Sequence, residues 1–395
     1  MRRALGVTLL VGYGLGVIIG AGIYVLVGTV IAVAGPFALL SFLLAGLLAA
    51  LVAACYGELA AQFPDAAGAA AYVKEAFGSD RLSLIVGLAT GAVVLVATAA
   101  LARGSAGYAQ YFVDLPAPAI AAALCIAATL VACAGVRESV SIAGLMSVIE
   151  IAGLLLVVAA GWVNLPSLSA SLASAPQLLA AFDPGGVAAG TFLAFFAYIG
   201  LENMANMAEE THDFERTMPR AMLISLALST TLYLLVVAVA LAVPPTGDSQ
   251  TPLLAIGEKA GWYSPGLFAA IALIAVSNGV LIEILMLSRL LYGMARRGWL
   301  PGRFGALNAR TAAPMAATVA SGAGVLLLAI AWDVALLASA ASAFTLLIFA
   351  TVSAALWRIQ GRLPRQRGFR VPRFVPRLAV VLCLGLALIQ LAVSR

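Results

Sequence analysis

Charged residues are scarce in this chain. They make up 10% of its 395 residues, whereas a soluble domain contains about 25%. Hydrophobic residues make up 63%, well above the roughly 45–50% that a water-soluble protein contains. The composition therefore excludes a soluble protein. The small net charge of +5 is no sign of nucleic-acid binding.

Histidine and cysteine are also rare. His212 is the only histidine, and it stands in a polar segment that we predict to be solvated. The cysteines have no CxxC spacing and lie in or at the ends of apolar runs, which is typical of packing residues. They are Cys55, Cys125, Cys133 and Cys383. We expect no metal site, no cofactor and no enzyme chemistry.

Long apolar runs, by contrast, fill the sequence. A run of about 20 residues crosses a hydrocarbon layer of about 30 Å, and peptide groups in lipid must be satisfied within a helix or a barrel. Because the alternation of a barrel strand is missing, we predict an all-α integral membrane protein of about eleven helices. The predicted spans are 5–33, 37–60, 82–113, 117–135, 140–163, 187–208, 218–243, 263–294, 312–331, 334–357 and 375–393.

The basic residues predict the orientation, because cytoplasmic loops carry an excess of Lys and Arg. With the amino terminus inside, all of the 22 lysines and arginines except Arg103, Lys259 and Arg395 fall in cytoplasmic segments. The first run is too long and too rich in glycine to be a signal peptide. We therefore expect a multi-pass protein of a prokaryotic inner membrane with a cytoplasmic amino terminus.

Two of the predicted spans contain helix-weakening glycines at mid-membrane. The first reads Gly14-Leu-Gly-Val-Ile-Ile-Gly-Ala-Gly-Ile-Tyr24, and the sixth reads Thr191-Phe-Leu-Ala-Phe-Phe-Ala-Tyr-Ile-Gly-Leu-Glu-Asn203. Because they are five spans apart, they run in opposite directions, as in two inverted repeats. We predict one transporter domain, with repeats at about 5–163 and 187–357 and an extra helix at 375–393.

An unwound turn leaves N–H groups free at one half-helix and C=O groups free at the other. These groups can bind a carboxylate and an ammonium, the two ends of an α-amino acid. The alternative is that the glycines only allow close helix packing.

Five sequence segments resemble the amino acid, polyamine and organocation transporter superfamily, in the same order along the chain. They are Ile19-Gly-Ala-Gly-Ile-Tyr24; Tyr56-Gly-Glu-Leu-Ala-Ala-Gln-Phe-Pro64 with Ala71-Tyr-Val-Lys-Glu-Ala-Phe-Gly78; Gly135-Val-Arg-Glu-Ser139; Phe195-Phe-Ala-Tyr-Ile-Gly-Leu-Glu202; and Ser288-Arg-Leu-Leu-Tyr-Gly-Met-Ala-Arg-Arg-Gly-Trp-Leu-Pro301. The resemblance implies the leucine-transporter-like fold of five-plus-five inverted repeats and alternating access. Many members have twelve spans, one more than this chain.

The resemblance also implies a substrate site. The motif around Ile19 and Gly20 would bind the substrate carboxylate through N–H groups of Ala21, Gly22 and Ile23. The amino group would bind C=O groups near Phe196, Ala197 and Ile199. The aromatic side chains of Phe195, Phe196 and Tyr198 would cover the ligand, or alternatively belong to the core.

Charged residues at mid-membrane are costly, so each is a functional candidate. Glu202 follows the break in the sixth span and matches a family position near the substrate; the alternative is a helix N-terminal cap. Glu150 stands in the fifth span, where many proton-coupled relatives have a lysine. It is a candidate proton carrier, with Na⁺ coordination or a static pair with Arg103 or Arg289 as the alternatives.

Glu283 lies in the eighth span at a position that lines the pocket in exchangers of arginine type. A carboxylate there would favour a cationic side chain, whereas a pair with Arg289, six residues away, would join different helix faces. Arg103 lies in a stretch that resembles cationic amino acid transporters, and its side chain could instead extend to the outer interface.

The sequence thus predicts a secondary transporter of amino acids in the lipid bilayer, with a proton favoured over Na⁺ as coupling ion. The alternative is a transporter of polyamines or other amines. A channel is disfavoured because no polar stripe or filter motif is present. A receptor would be distinguished by the lack of substrate flux.

Overall fold

The computed structural model describes residues 6–19, 22–64, 68–134, 136–166, 182–243, 253, 264–308, 311, 313–362 and 368–393. These residues form helices and connecting turns, without a β-strand, so the all-α class is confirmed. The α-helices of the first half are α1 (Val7–Ile19), α2 (Gly22–Ala34), α3 (Ala38–Gln62), α4 (Ala69–Phe77), α5 (Asp80–Ala109), α6 (Ala117–Ala134) and α7 (Val136–Gly161). Those of the second half are α8 (Pro184–Phe195), α9 (Phe214–Ala242), α10 (Pro265–Arg296), α11 (Met315–Ala331), α12 (Val334–Arg362) and α13 (Phe374–Val393).

Short 3₁₀ helices join several of these elements. They are Gly35–Phe37, Trp162–Asn164, Phe196–Tyr198, Leu201–Glu210 and Gly302–Gly305. The turn between α2 and α3 depends on Gly35, whose φ of 55° is the left-handed region that favours glycine. This turn separates the predicted first and second spans.

The interruption predicted in the sixth span is present, whereas the one predicted in the first span falls on residues 20 and 21, which lie outside the described residues. α1 ends at Ile19 and α2 begins at Gly22. α8 ends at Phe195, and after one 3₁₀ turn the chain becomes extended at Ile199 and left-handed at Gly200, where φ is 110°. The Leu201–Glu210 segment then continues as a 3₁₀ helix.

The outer surface of the bundle is apolar. Large side chains such as Leu47, Leu130 and Val381 are 55%, 66% and 65% exposed. In water such a surface would be unfavourable, whereas hydrocarbon solvates it well. Eight of the described helical stretches are long and apolar enough to cross a membrane, and three shorter apolar helices accompany them. The chain is therefore a multi-pass membrane protein, while the count of eleven spans stays a prediction.

Helices α5 and α10 run antiparallel, and their ends define two faces of the bundle. Gly87, near the start of α5, faces Met294 near the end of α10. Tyr111, just after α5, contacts Gly266 at the start of α10. We call the side on which α1 begins the amino-terminal face. The ends of α3, α10 and α12 lie at this face, as does the short helix α4, which no predicted span covers.

A buried polar cluster lies at the amino-terminal face. Glu58, in the last turns of α3, accepts hydrogen bonds from Gln62 Nε2 (3.1 Å), Gln360 Nε2 (2.9 Å) and the Val371 N–H (2.8 Å). Arg370 Nε lies 3.6 Å from the same carboxylate. These five residues, which we call the Glu58 cluster, connect α3 to the end of α12 and to the segment before α13.

Candidate functional site

The two interrupted helices pack directly against each other at their breaks. A Cβ atom on Gly22 would lie 2.8 Å from the Cα atom of Ala197, and one on Gly200 would lie 2.8 Å from the carbonyl oxygen of Val17. Such distances are shorter than side chains tolerate, so glycine is needed at both positions. This packing is consistent with the predicted role of small residues at a substrate site. It is equally consistent with the alternative that the glycines only allow close helix packing.

A cavity opens at these breaks. It is lined by residues of both interrupted helices, of α5 and of α10, and we call it the break cavity. The lining residues are Gly16, Val17, Ile18, Gly22, Ala97, Leu101, Phe196, Ala197, Ile199, Gly279, Ile282 and Glu283. Of these, Glu283 alone has a charged side chain. The break cavity is thus a mostly apolar space between the interrupted helices, with one carboxylate in its wall.

Backbone carbonyl groups from both breaks meet at one side chain. The Tyr233 hydroxyl, on α9, lies 2.6 Å from the Ile18 oxygen, 3.1 Å from the Ile19 oxygen and 2.9 Å from the Ala197 oxygen. A hydroxyl group has one hydrogen, so it donates fully to only one of the three at a time. The carbonyl groups at the ends of α1 and of the 196–198 turn therefore keep capacity for a further donor.

Tyr233 was not among the residues predicted from the sequence. Charged groups and glycines stand out in apolar spans, whereas a tyrosine there is an ordinary core residue. Its phenol ring is fully buried and packs edge-on against Tyr198 with the ring centroids 5.3 Å apart. Only the folded structure brings its hydroxyl to the two breaks.

Glu283 is 8% exposed and belongs to the wall of the break cavity. Its Oε1 atom accepts a hydrogen bond of 3.4 Å from Asn203 Nδ2, just beyond the break in the sixth predicted span. Arg289, by contrast, is exposed. Among the described residues, the Glu283 carboxylate therefore accepts one long hydrogen bond, from a neutral side chain, and it faces a cavity.

Glu202 lies in the first turn of the 3₁₀ helix that follows the break. Its Oε2 atom accepts a hydrogen bond of 3.0 Å from the Gly200 N–H, which is consistent with the capping alternative raised from the sequence. The carboxylate also borders a second cavity, on the side toward the amino-terminal face. Glu202 and Glu283 are close enough to interact electrostatically, although they line different cavities.

Glu150 lies outside the break cavity, behind α1. It is fully buried on α7, and Asn278 Nδ2 of α10 donates to its Oε2 atom at 3.2 Å. Asn278 also donates to Ser147 Oγ at 3.0 Å, and Tyr24 donates to the Glu150 backbone oxygen at 2.7 Å. Within the described part of the chain, Glu150 Oε1 and Asn278 Oδ1 have no hydrogen-bond partner.

The static ion pairs considered for Glu150 are not formed among the described residues. Glu150 Oε1 and Arg103 Nη1 are both buried without a partner there, and Arg289 is exposed. Arg103 is half-buried in the last two turns of α5. Glu150 Oε1 and Asn278 Oδ1 are thus buried acceptors without donors in the described part of the chain, an arrangement that one added proton or cation would relieve.

The remaining predicted site residues divide into three groups. Gly20 and Ala21 lie outside the described residues. Ile19, Gly22, Ile23, Phe196, Ala197 and Ile199 lie at the two breaks. Phe195 packs edge-on against Phe349 of α12 at 5.8 Å, and Tyr198 donates to the Phe42 oxygen of α3 at 3.2 Å. These last two rings lie in the core, so only Phe196 of the three aromatics borders the cavity.

Comparisons with known proteins agree with this architecture. Residues 5–394 match the sequence profile of the amino acid permease family. The vacuolar cationic amino acid transporter 2 of Arabidopsis thaliana is 33% identical over 89% of this chain and 59% of its own length. From Bacillus subtilis, the methylthioribose transporter is 29% identical over 95% of this chain and 84% of its length. The branched-chain amino acid permease of the same organism is 27% identical over 98% of this chain and 88% of its length.

The chain spans little more than half the length of the plant cationic amino acid transporters it matches. The family profile nevertheless matches nearly the whole of this chain, across both breaks and the helices around them. The chain therefore belongs to the amino acid permease family of the amino acid, polyamine and organocation transporter superfamily.

Proposed function

We propose that this protein is a secondary active transporter of amino acids that prefers cationic substrates and works by alternating access, as a permease or exchanger. The observation that carries the proposal is the break cavity, which is lined by residues of both interrupted helices and by the Glu283 carboxylate. Membership in the amino acid permease family supports the same substrate class.

The two breaks suit the two ends of an amino acid. The first N–H groups of α2, at Gly22 and Ile23, have no partner within the helix and lie at its positive end, which favours a carboxylate. The carbonyl oxygens of Ile19 and Ala197 suit an ammonium group. This group would either replace the Tyr233 hydroxyl as their hydrogen-bond donor or bind beside it. Phe196 then covers the bound ligand from the side of the 196–198 turn.

Glu283 accounts for the cationic preference. A buried carboxylate with one long hydrogen bond gains more from a charged donor than from a neutral ligand. A guanidinium or ammonium side chain would supply that donor and compensate the buried charge. A neutral substrate side chain would leave the buried charge of Glu283 uncompensated, which predicts weaker binding of neutral amino acids.

We further propose that Glu150 couples transport to a proton. A proton on Glu150 turns one of its oxygens into a donor, which suits a cluster with two buried acceptors and no donor for them. We favour the proton over Na⁺, because a metal cation in a membrane protein binds several oxygens in place of its hydration shell. Glu150 would act on the substrate site through α7, on which it lies, and through α10, which carries its partner Asn278. Both helices are adjacent to the breaks.

The orientation and repeat structure complete the proposal. The two interrupted helices would belong to two five-span repeats of inverted topology, at about 5–163 and 187–357. The amino-terminal face would be cytoplasmic, because the basic residues concentrate there, and the membrane would be the plasma membrane. Nothing in this arrangement calls for a cofactor or for enzyme activity.

Flux measurements test the proposal directly. The purified protein is placed in liposomes, and uptake of radiolabelled alanine, leucine, glutamate, arginine, lysine and putrescine is measured with and without an inward proton gradient. We expect arginine and lysine to enter fastest and the gradient to accelerate them. Absence of any substrate-dependent flux would contradict transport, and a preference for leucine would contradict the role of Glu283.

A transporter of polyamines or other amines is the second candidate. It is favoured by the electrostatic proximity of Glu202 and Glu283, which would suit a dication. Lysine and cadaverine separate the two candidates, because cadaverine is lysine without its carboxylate. If the N–H groups of α2 bind the substrate, lysine inhibits arginine uptake at lower concentration than cadaverine does; the reverse order supports the amine transporter.

A further inference from the structure

A second cavity lies between the break cavity and the amino-terminal face. Its walls include Tyr56 of α3, Gly87 and Thr90 of α5, Leu290 of α10, and the pair Glu202 and Asn203. We call it the Tyr56 cavity. The residues that line it and those that line the break cavity do not overlap.

The position of the Tyr56 cavity follows from the helices that border both spaces. On α5, which runs away from the amino-terminal face, the break cavity is lined at Ala97 and Leu101 and the Tyr56 cavity at Gly87 and Thr90. On α10, which runs toward that face, the break cavity ends at Glu283, and the Tyr56 cavity includes Leu290. At 1.5 Å per residue the two spaces are offset by ~10 Å along the helix axes.

The polar groups of the Tyr56 cavity suit a cation that donates hydrogen bonds. The hydroxyl of Tyr56, whose side chain is 1% exposed, is buried without a hydrogen-bond partner among the described residues. The Glu202 carboxylate lines the same cavity and is close enough to interact electrostatically with the Tyr56 hydroxyl. An amine or guanidinium group in the cavity would find hydrogen-bond acceptors in both residues, whereas an anion would be repelled.

Asn203 connects the two cavities. It lines the Tyr56 cavity, and its Nδ2 atom donates to Glu283 Oε1 in the wall of the break cavity. A cationic group that leaves Glu283 toward the amino-terminal face therefore passes the Asn203 side chain and meets Glu202 and Tyr56 next. Toward the amino-terminal face, such a group thus meets the Glu283 carboxylate first and the Glu202 carboxylate second.

We propose that the Tyr56 cavity is a second substrate subsite, which holds the amine or guanidinium group of a cationic substrate between the break cavity and the amino-terminal face. The inference rests on the proposed transport of cationic amino acids. Glu202 supplies the charge, and the Tyr56 hydroxyl supplies an acceptor that gains a donor only when the subsite is filled. A substrate that enters from the amino-terminal face meets this subsite before the break cavity.

The test compares substrate loading from the two faces. Right-side-out and inside-out membrane vesicles are prepared from cells that produce the full chain, and the KM for radiolabelled arginine is measured in each. For Tyr56→Phe we expect the KM from the amino-terminal face to rise about fivefold, the effect of one lost hydrogen bond. From the opposite face, where arginine reaches the break cavity first, we expect the KM to stay within twofold of wild type.

Tyr72→Phe is the matched control. Tyr72 packs edge-on against Tyr56 with ring centroids 6.1 Å apart and is fully buried, but it does not line the cavity. The same chemical change there should leave both KM values as in wild type, and an unaltered thermal transition of both purified variants excludes a folding defect.

Two results would overturn the inference. If Tyr56→Phe raises the KM equally from both faces, or from neither, the Tyr56 cavity is no subsite, while arginine transport by wild type still stands. If wild-type vesicles take up leucine but no arginine or lysine, the proposed preference for cationic substrates fails, and the subsite fails with it.

Discussion

Two buried carboxylates in this protein are equally hidden from solvent but differ in their partners. Glu58, at the amino-terminal face, accepts three hydrogen bonds and has an arginine 3.6 Å away. Glu150, on α7, accepts one hydrogen bond from a neutral amide, and its Oε1 atom has no partner in the described part of the structure. Both side chains have no exposed surface.

The difference indicates which carboxylate has a structural role and which can still accept a proton, a cation or a substrate group. An anion whose lone pairs are filled by donors from three chain segments is held in one geometry and resists a change of its protonation state. An anion with one donor still has room for a proton, a cation or a substrate group. Burial alone, which is all that the apolar surroundings in the sequence indicate, does not distinguish the two.

The largest expected effect tests the structural half of the comparison. In Glu58→Gln, one oxygen is replaced by an NH₂ group that faces donors, and Arg370 loses its counter-charge, so buried groups are left unpaired. We expect the variant to lose about 3 kcal/mol or more of folding free energy. Thermal unfolding of the purified protein, followed by tryptophan fluorescence, measures the loss.

Glu150→Gln is the isosteric control for that measurement. The remaining carbonyl oxygen can keep the hydrogen bond from Asn278 and no charged partner is lost, so we expect its unfolding midpoint to match wild type. A midpoint lowered as much as in Glu58→Gln would show that Glu150 is also structural, and the comparison would fail.

The next effect concerns substrate choice at Glu283, the second sparsely bonded carboxylate. Glu283→Gln removes the charge that compensates a guanidinium or ammonium side chain, and a charge-assisted hydrogen bond contributes ~1.5–3 kcal/mol. We expect kcat/KM for arginine to fall roughly tenfold to a hundredfold, while leucine uptake stays within twofold. Competing uptake of the two radiolabelled amino acids in proteoliposomes measures the ratio.

A matched variant for Glu283→Gln is Asn203→Ala. It removes the one hydrogen bond to the Glu283 carboxylate but leaves the charge, so the preference for arginine should persist. If both variants lose arginine and leucine uptake alike, Glu283 supports the architecture of the break cavity and does not select the substrate.

Coupling to protons is expected to depend on Glu150. If the protonated side chain accompanies the substrate, arginine uptake by wild type rises as the pH on the loading side falls, because a larger fraction of Glu150 then carries a proton. Glu150→Gln mimics the protonated form at every pH, so its uptake should be independent of the proton gradient. An unchanged gradient response in this variant would place the coupling group elsewhere.

The sequence predicts the fold well where hydrophobic length decides it. The long apolar runs predicted helices, and Gly200 predicted the interruption in the sixth span, because a left-handed turn favours a residue without a Cβ atom. The interruption near Gly22 stays a prediction. Helix α4 was not predicted as a separate element, since its residues belong to a segment too short and too polar to span. The 3₁₀ form of the 201–210 segment was also not indicated by composition.

The site was less predictable, because its function depends on pairings between distant segments. Charge identified Glu150, Glu202 and Glu283, but nothing in the sequence indicates that Asn278 contacts the first or that Asn203 contacts the third. The neutral polar residues that modify these carboxylates look like ordinary polar residues in apolar spans. Glu58 illustrates the same limit, since its partners at 360–371 are about 300 positions away.

The smallest expected effect concerns Tyr233, whose hydroxyl group stands at the carbonyl oxygens of both breaks. Tyr233→Phe removes one hydrogen bond of ~1 kcal/mol but frees all three carbonyl oxygens for the substrate ammonium. These two consequences oppose each other in the loaded state, so we expect the arginine KM to change by less than about fivefold and the empty protein to lose ~1 kcal/mol of stability. Thermal unfolding with and without arginine measures both: a larger stabilisation by arginine in the variant than in wild type indicates that the substrate ammonium takes the place of the hydroxyl, and a smaller one indicates that the hydroxyl holds the breaks in the geometry that the substrate needs.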